Sequence, residues 1–223
     1  DSSQATISSY EERQISLQIM SQIRADSRYL DDAEIAGYLT NLGYKLISSS
    51  NEAHPDHEFE FFAIRGPSIN AFALPGGFMG FNSGLMLASQ SESELAGVMA
   101  HEISHVTQKH LARMISGQKY SLLTTLGSIA LAILASRASS QAGTAIMATS
   151  QAITAQSQLN FTRANEKEAD RIGLGVLVQA GFDPGGMAAF FGRLQKAGRF
   201  QGNGAPSYLR THPLTYERIA DME

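Results

Sequence analysis

The sequence predicts an α+β domain: mainly helical, with a small, mostly antiparallel sheet beside one central helix. Three observations carry this expectation. Apolar residues recur at helical spacing through residues 7–46 and again through 166–196. Strand-like alternation is confined to residues 58–81. Between these groups lies His101-Glu102-Ile103-Ser104-His105, an H-E-x-x-H pattern inside a stretch with helical periodicity.

Length and composition bound the answer. A chain of 223 residues is long enough to bury a proper core, and a single domain over residues 1–223 is expected. Hydrophobic residues make up 43% and charged residues 17%, a globular composition. The formal net charge of −4 gives no reason to expect a nucleic-acid partner. There is no cysteine, so a metal site must use histidine and carboxylates. The same absence suits an oxidising compartment. The polar start Asp1-Ser2-Ser3-Gln4 shows no secretory leader or anchor.

The elements follow in order. Residues 7–30 read as an amphipathic helix with Ile15, Ile19, Met20 and Ile23 on one side. Asp31 or Asp32 caps a second helix carrying Ile35, Leu39, Leu42 and Leu46. Residues 51–57 form a polar turn, which gives His54 and His57 no special role. Residues 58–64 read as a strand, 69–74 as a second and 78–81 as a third. Pro75 places the second strand at a sheet edge, because proline cannot donate to the ladder.

The motif helix is expected over residues 91–116. Ser91 and Glu94 have capping-box spacing, and Leu95, Met99, Ile103 and Val106 form an apolar stripe. His110 falls on a different face from His105 and gets no role. Residues 120–162 carry one charge, Arg137. Their apolar run 122–134 is too short for a bilayer, which takes about 20 residues. This segment reads as one or two packed helices with small residues at tight contacts. A lid over the site, or a patch touching a membrane surface or partner, is the sharper alternative. A helix over 166–180 stops at Gly181 and Asp183-Pro184. A short helix over 186–196, a loop over 198–206, Thr211-His212-Pro213 and a terminal helix close the chain.

Two histidines four apart on a helix lie one turn above each other and can share one metal ion. Glu102 between them is then placed as a general base toward a water molecule. A catalytic zinc has three protein ligands as a rule, so a third is needed. Glu166 is the best candidate. Asp170, four residues on, shares its helix face and can fix a ligand imidazole from behind, whereas Glu168 points elsewhere.

Together, His101-Glu102-Ile103-Ser104-His105, Asn165-Glu166-Lys167-Glu168-Ala169-Asp170 and Thr211-His212-Pro213 resemble the HtpX and CAAX prenyl protease-type zinc metallopeptidases. Within that family the chain is most similar to the protease domain of the periplasmic BepA-type proteases. Residues 98–108, 168–173 and 69–73 carry most of that likeness. The resemblance implies a zincin-type fold, one zinc per chain, Glu166 as third ligand and endopeptidase activity. It also implies a bacterial periplasmic or envelope location, unfolded or misassembled protein substrates, and the outer-membrane assembly machinery as a partner. BepA-type proteins continue into a tetratricopeptide-repeat domain, which is not expected in this chain.

The same family motif makes His212 and Arg218 the candidates for stabilising the oxyanion. His212 has a second possible role, as a fourth zinc ligand that keeps the enzyme latent. The edge strand through Asn70, Ala71, Phe72 and Ala73 is the candidate substrate-binding element, since an extended peptide can add to a sheet edge. A zinc-bearing chaperone or binding module with an unused active site is the alternative function.

Overall fold

Two helices open the chain and are held by different means. α1 (Ser9–Ala25) buries Ser16, Ile19, Met20 and Ile23 as one stripe. α2 (Ala33–Ser48) is capped by Asp32, whose carboxylate accepts from the backbone N–H groups of Glu34 and Ile35. Leu39, Leu42 and Leu46 recur every three to four residues on its buried face. The computed structural model describes residues 9–51, 58–110, 163–200 and 206–222. The expected polar turn beyond residue 51, the expected helix over 111–116 and the uncharged segment 120–162 lie outside the described residues.

The sheet has three strands, β1 (Glu60–Ile64), β2 (Ala71–Leu74) and β3 (Phe78–Asn82), in the order β1-β3-β2. It is mixed rather than mostly antiparallel. β2 pairs antiparallel with β3, placing Phe72 opposite Gly80, while β1 pairs parallel with β3. The physical reason is two chain reversals. Residues 65–70 turn the chain once and Pro75-Gly76-Gly77 turns it again, so β3 runs in the direction of β1. The second turn needs glycine: Gly77 has φ +87°, and a Cβ there would lie 1.9 Å from the Glu58 carbonyl oxygen. β2 is an edge strand, as the proline after it requires.

A short helix, α3 (Ser83–Ala88), leads into α4 (Glu92–Thr107), which carries the motif. Ser91 Oγ accepts from the Glu94 N–H, and the Glu94 carboxylate accepts from the Gln90 N–H at 2.7 Å and pairs with Arg193. Every residue from Glu94 to His105 is buried, so the helix is covered well beyond its apolar stripe. Its end comes earlier than the periodicity suggests. α4 stops at Thr107, and Lys109 takes a left-handed conformation with φ +52°.

Four helices complete the described chain: α5 (Arg163–Gln179), α6 (Gly185–Phe200), α7 (Ser207–Thr211) and α8 (Tyr216–Met222). α6 runs on through Phe200, where a loop is expected from residue 198. α4 packs against α5, α6, α2 and β2. Two glycines set how closely the first two approach. A Cβ on Gly173 of α5 would lie 3.1 Å from the His101 backbone nitrogen, and one on Gly97 of α4 would lie 3.0 Å from Met187 Cα of α6. The close α4–α5 crossing brings Glu166 and Asp170 over the motif histidines. Among the described residues no helix is long and apolar enough to cross a membrane.

Candidate metal centre and active site

His101 and His105 sit one turn apart on α4, with Nε2 atoms 3.0 Å from each other. Glu166 comes from the first turn of α5, with Oε2 3.5 Å from His101 Nε2 and Oε1 3.4 Å from His105 Nε2. His212, just past α7, adds Nδ1 at 3.3 Å from His101 Nε2 and 3.0 Å from Glu166 Oε1. All four side chains are buried, and one ligand atom from each lies within 4.8 Å of the others.

These residues fit a zinc ion. Ligands at 2.0–2.1 Å on a tetrahedron stand about 3.3–3.4 Å apart, close to the spacings of this group. The hydrogen-bond balance agrees. Glu166 Oε2 is buried and has no aligned hydrogen bond among the described residues. Arg218 Nη1 shares that oxygen as an ion pair at 2.8 Å. Beside it, imidazole nitrogens of His105 and His212 lie 3.0 and 3.3 Å from His101 Nε2, lone pairs that a metal ion would take up.

Behind these side chains stand Asp170 of α5 and Arg218 of α8. Asp170 Oδ1 lies 3.0 Å from His101 Nδ1, close in distance but off the line of a straight hydrogen bond. Arg218 is buried and grips Asp170 with Nε at 2.6 Å and Nη2 at 2.8 Å. Its Nη1 donates to the Pro213 carbonyl at 2.8 Å and stands 2.8 Å from Glu166 Oε2 as an ion pair. Arg218 therefore faces the centre through two carboxylates.

Glu102, between the two motif histidines, meets Tyr208, whose hydroxyl donates to Oε1 at 3.1 Å. His212 Nε2 is 3.5 Å from the same oxygen. The Tyr208 ring stacks on His212, with centroids 4.5 Å apart.

The electrostatics follow from burial and charge. Burial would push His101 down, but Asp170 and Glu166 outweigh it and raise it to about 9. Burial holds His105 well below its ordinary value, hence neutral. Burial opposes ionisation of Glu166 and Asp170. Even so, the histidines hold Glu166 well below the usual carboxylate range, and Arg218 with His101 lowers Asp170. Burial, then the Glu102 charge, pushes the Tyr208 phenol well up. Without a metal, the site thus holds a protonated His101 between ionised Glu166 and Asp170, a neutral His105 and an un-ionised Tyr208 at neutral pH, and a metal ion would take the place of the His101 proton.

The structure brings together His101, Glu102, His105, Glu166, Asp170, His212 and Arg218. The edge strand 70–73 packs on α4 nearby. At its start, the Ile69 carbonyl accepts from the Tyr208 N–H at 3.1 Å and the Ser207 hydroxyl at 3.0 Å. Three residues were not legible as site residues. Tyr208 stands four before His212, a spacing that points at the site only if 207–211 is helical. His110 and Glu168 also join the site, and their expected lack of a role is corrected here. His110 Nδ1 lies 2.9 Å from His105 Nδ1, and its Nε2 lies 3.0 Å from Glu168 Oε2. The early end of α4 folds His110 back under His105, off the helical face on which five-residue spacing would put it.

Known proteins share this arrangement of sequence. The chain is 42% identical over 218 residues to the beta-barrel assembly-enhancing protease of Escherichia coli strain K12, covering 97% of this chain and 44% of that one. It is 41% identical over 201 residues to the beta-barrel assembly-enhancing protease of Yersinia pestis, covering 90% and 40%. The mitochondrial metalloendopeptidase OMA1 of Schizosaccharomyces pombe is 29% identical over 187 residues, covering 83% and 51%. The chain spans less than half the length of these bacterial relatives. Residues 34–223 match the sequence profile of peptidase family M48, a stretch that takes in every residue of the metal cluster. That match, over most of the chain, shows that it belongs to peptidase family M48.

Proposed function

We propose that this chain is a zinc-dependent endopeptidase that cleaves unfolded or misassembled proteins of the bacterial cell envelope and rests in a latent form. The observation that carries the reading is the convergence of buried His101, His105 and Glu166 beside Glu102. Zinc held by those three supplies a Lewis acid for the peptide carbonyl and a lowered pKa for water. Glu102 takes the proton from the attacking water and passes it to the leaving amine. Tyr208 holds one oxygen of that carboxylate, leaving the other for the proton. Asp170 and Arg218 keep the ligand shell in place.

Substrate binding at Asn70, Ala71, Phe72 and Ala73 is supported by the edge position of β2 and its packing on α4. Backbone pairing selects extended chains over particular side chains, and extended chains are what unfolded proteins offer. The periplasmic location and the outer-membrane assembly partner rest on the relatives named for beta-barrel assembly.

Latency is supported by His212. Its Nδ1 lies 3.3 Å from His101 Nε2 and 3.0 Å from Glu166 Oε1, within reach of a shared ion, and a fourth ligand would fill the position that a substrate or water needs. The test is degradation of unfolded casein by zinc-loaded wild type, Glu102→Gln and His212→Ala at equal metal content. Glu102→Gln should abolish cleavage, and His212→Ala should raise it severalfold. Equal cleavage by wild type and Glu102→Gln would sink the peptidase reading. Loss of cleavage in His212→Ala would make that residue a transition-state donor instead. Zinc-loaded protein that holds casein soluble without cutting it, in all three forms, would identify a binding module.

A further inference from the structure

The two motif histidines are backed in different ways. Nδ1 of His101 meets the Asp170 carboxylate directly, at 3.0 Å. Nδ1 of His105 meets a second imidazole, that of His110, at 2.9 Å. His110 is fully buried, and its far nitrogen lies 3.0 Å from the Glu168 carboxylate. Both carboxylates come from one turn of α5, two residues apart.

We infer that His110 is a positioning residue for the metal centre, carrying the hold of Glu168 through to His105. This rests on the metallopeptidase reading above. The proton placement follows from the contacts. His105 turns Nε2 toward Glu166 and His101, so as a ligand it needs that lone pair free and carries its proton on Nδ1. That proton is donated to Nδ1 of His110. His110 then carries its own proton on Nε2 and donates it to Glu168. One assignment satisfies both contacts, and each imidazole fixes the tautomer of the next. A hydrogen bond at the rear nitrogen orients a ligand histidine and raises its basicity. Without His110, the buried His105 N–H would lose the imidazole nitrogen that stands 2.9 Å away.

The local backbone suits this role. α4 ends at Thr107, two residues past His105, and Lys109 adopts φ +52°, which is uncommon for a residue with a side chain. That turn is what folds His110 back beneath the helix. Glu168 has a side chain one-third exposed, so solvent weakens its share relative to that of His110.

The experiment is zinc affinity by competition with a chromophoric chelator, together with the visible spectrum of the cobalt-substituted protein. The variants are His110→Phe, which fills the space without an acceptor, Glu168→Gln, and the double variant. His110→Phe should weaken zinc binding by roughly ten- to hundredfold and shift the cobalt bands. Glu168→Gln should weaken it less. The double variant should be no weaker than His110→Phe, because Glu168 acts only through His110. Melting of each chelator-treated protein reports whether the fold is intact. A structural role alone would lower that melting point and leave affinity and spectrum unchanged. The relay is overturned if His110→Phe binds zinc within twofold of wild type. It is equally overturned if Glu168→Gln costs as much in the His110→Phe background as alone. A wild type that binds no zinc would sink the metallopeptidase reading itself.

Discussion

At the scale of single residues, the site divides into the side chains that could hold a metal and those that contact Glu102, the proposed base. Glu102 is buried, and Tyr208 donates a hydrogen bond to it. A hydrogen bond to a charged acceptor contributes about 1.5–3 kcal/mol. Tyr208→Phe keeps the ring that stacks on His212 and removes only that bond. Cleavage of an unfolded protein should therefore fall by roughly tenfold to a hundredfold at unchanged zinc content. Metal analysis beside the rate measurement separates this from loss of the site: a variant that drops its zinc would show that the phenol holds the ligand shell, not the base. Helical spacing made two pairs legible in the sequence once the H-E-x-x-H motif was recognised, while His212 and Arg218 were legible only through the family resemblance. His101 and His105 share a helix face, as do Glu166 and Asp170. Tyr208, His110 and Glu168 were illegible for a different reason. Each depends on where a neighbouring helix starts or stops, and single-sequence periodicity places such ends least well.

At the scale of elements, the α4–α5 crossing decides whether Glu166 reaches the histidines at all. Gly173 lies where the two backbones come closest, with Ala100 and His101 atoms 3.1–3.2 Å from where a Cβ would sit. Gly175, two residues on, has nothing within 4 Å of its own Cβ position. The pair makes a controlled comparison. Alanine in place of glycine in a helix gains about 0.5–1 kcal/mol. At Gly175 that gain should appear undiminished as a higher melting point. At Gly173 overpacking costs about 1–3 kcal/mol, which exceeds the gain. Gly173→Ala should melt lower and bind zinc more weakly, since spreading the helices moves Glu166 off the histidines. Equal stabilisation by both alanines would mean that the crossing has slack. The helices themselves were legible from apolar spacing, and the edge position of β2 from Pro75. The parallel pairing of β1 with β3 was not, because partner choice across a sheet depends on which side of β3 each strand takes. That is a tertiary matter with no local signature.

At the scale of the whole molecule, the candidate metal site ties together parts of the chain that are far apart in sequence. His101 and His105 come from α4, Glu166 from α5 and His212 from beyond α7. Removing a shared ligand therefore loosens several packing contacts together. Two of these link α7 to the rest: Tyr208 to Glu102, and the Ile69 carbonyl to the Tyr208 N–H. Binding to the folded state alone stabilises it by about 4 kcal/mol when free zinc is a thousandfold above its dissociation constant. For a chain of this size each kcal/mol moves the melting point by about 2–4 °C. Stripping zinc with a chelator should thus lower the melting point by roughly 8–16 °C, and adding zinc back should restore it. Glu166→Gln should melt near the stripped value with or without added zinc. Wild-type protein whose melting point ignores the chelator would show that the four convergent side chains hold this fold together without a metal, through hydrogen bonds alone.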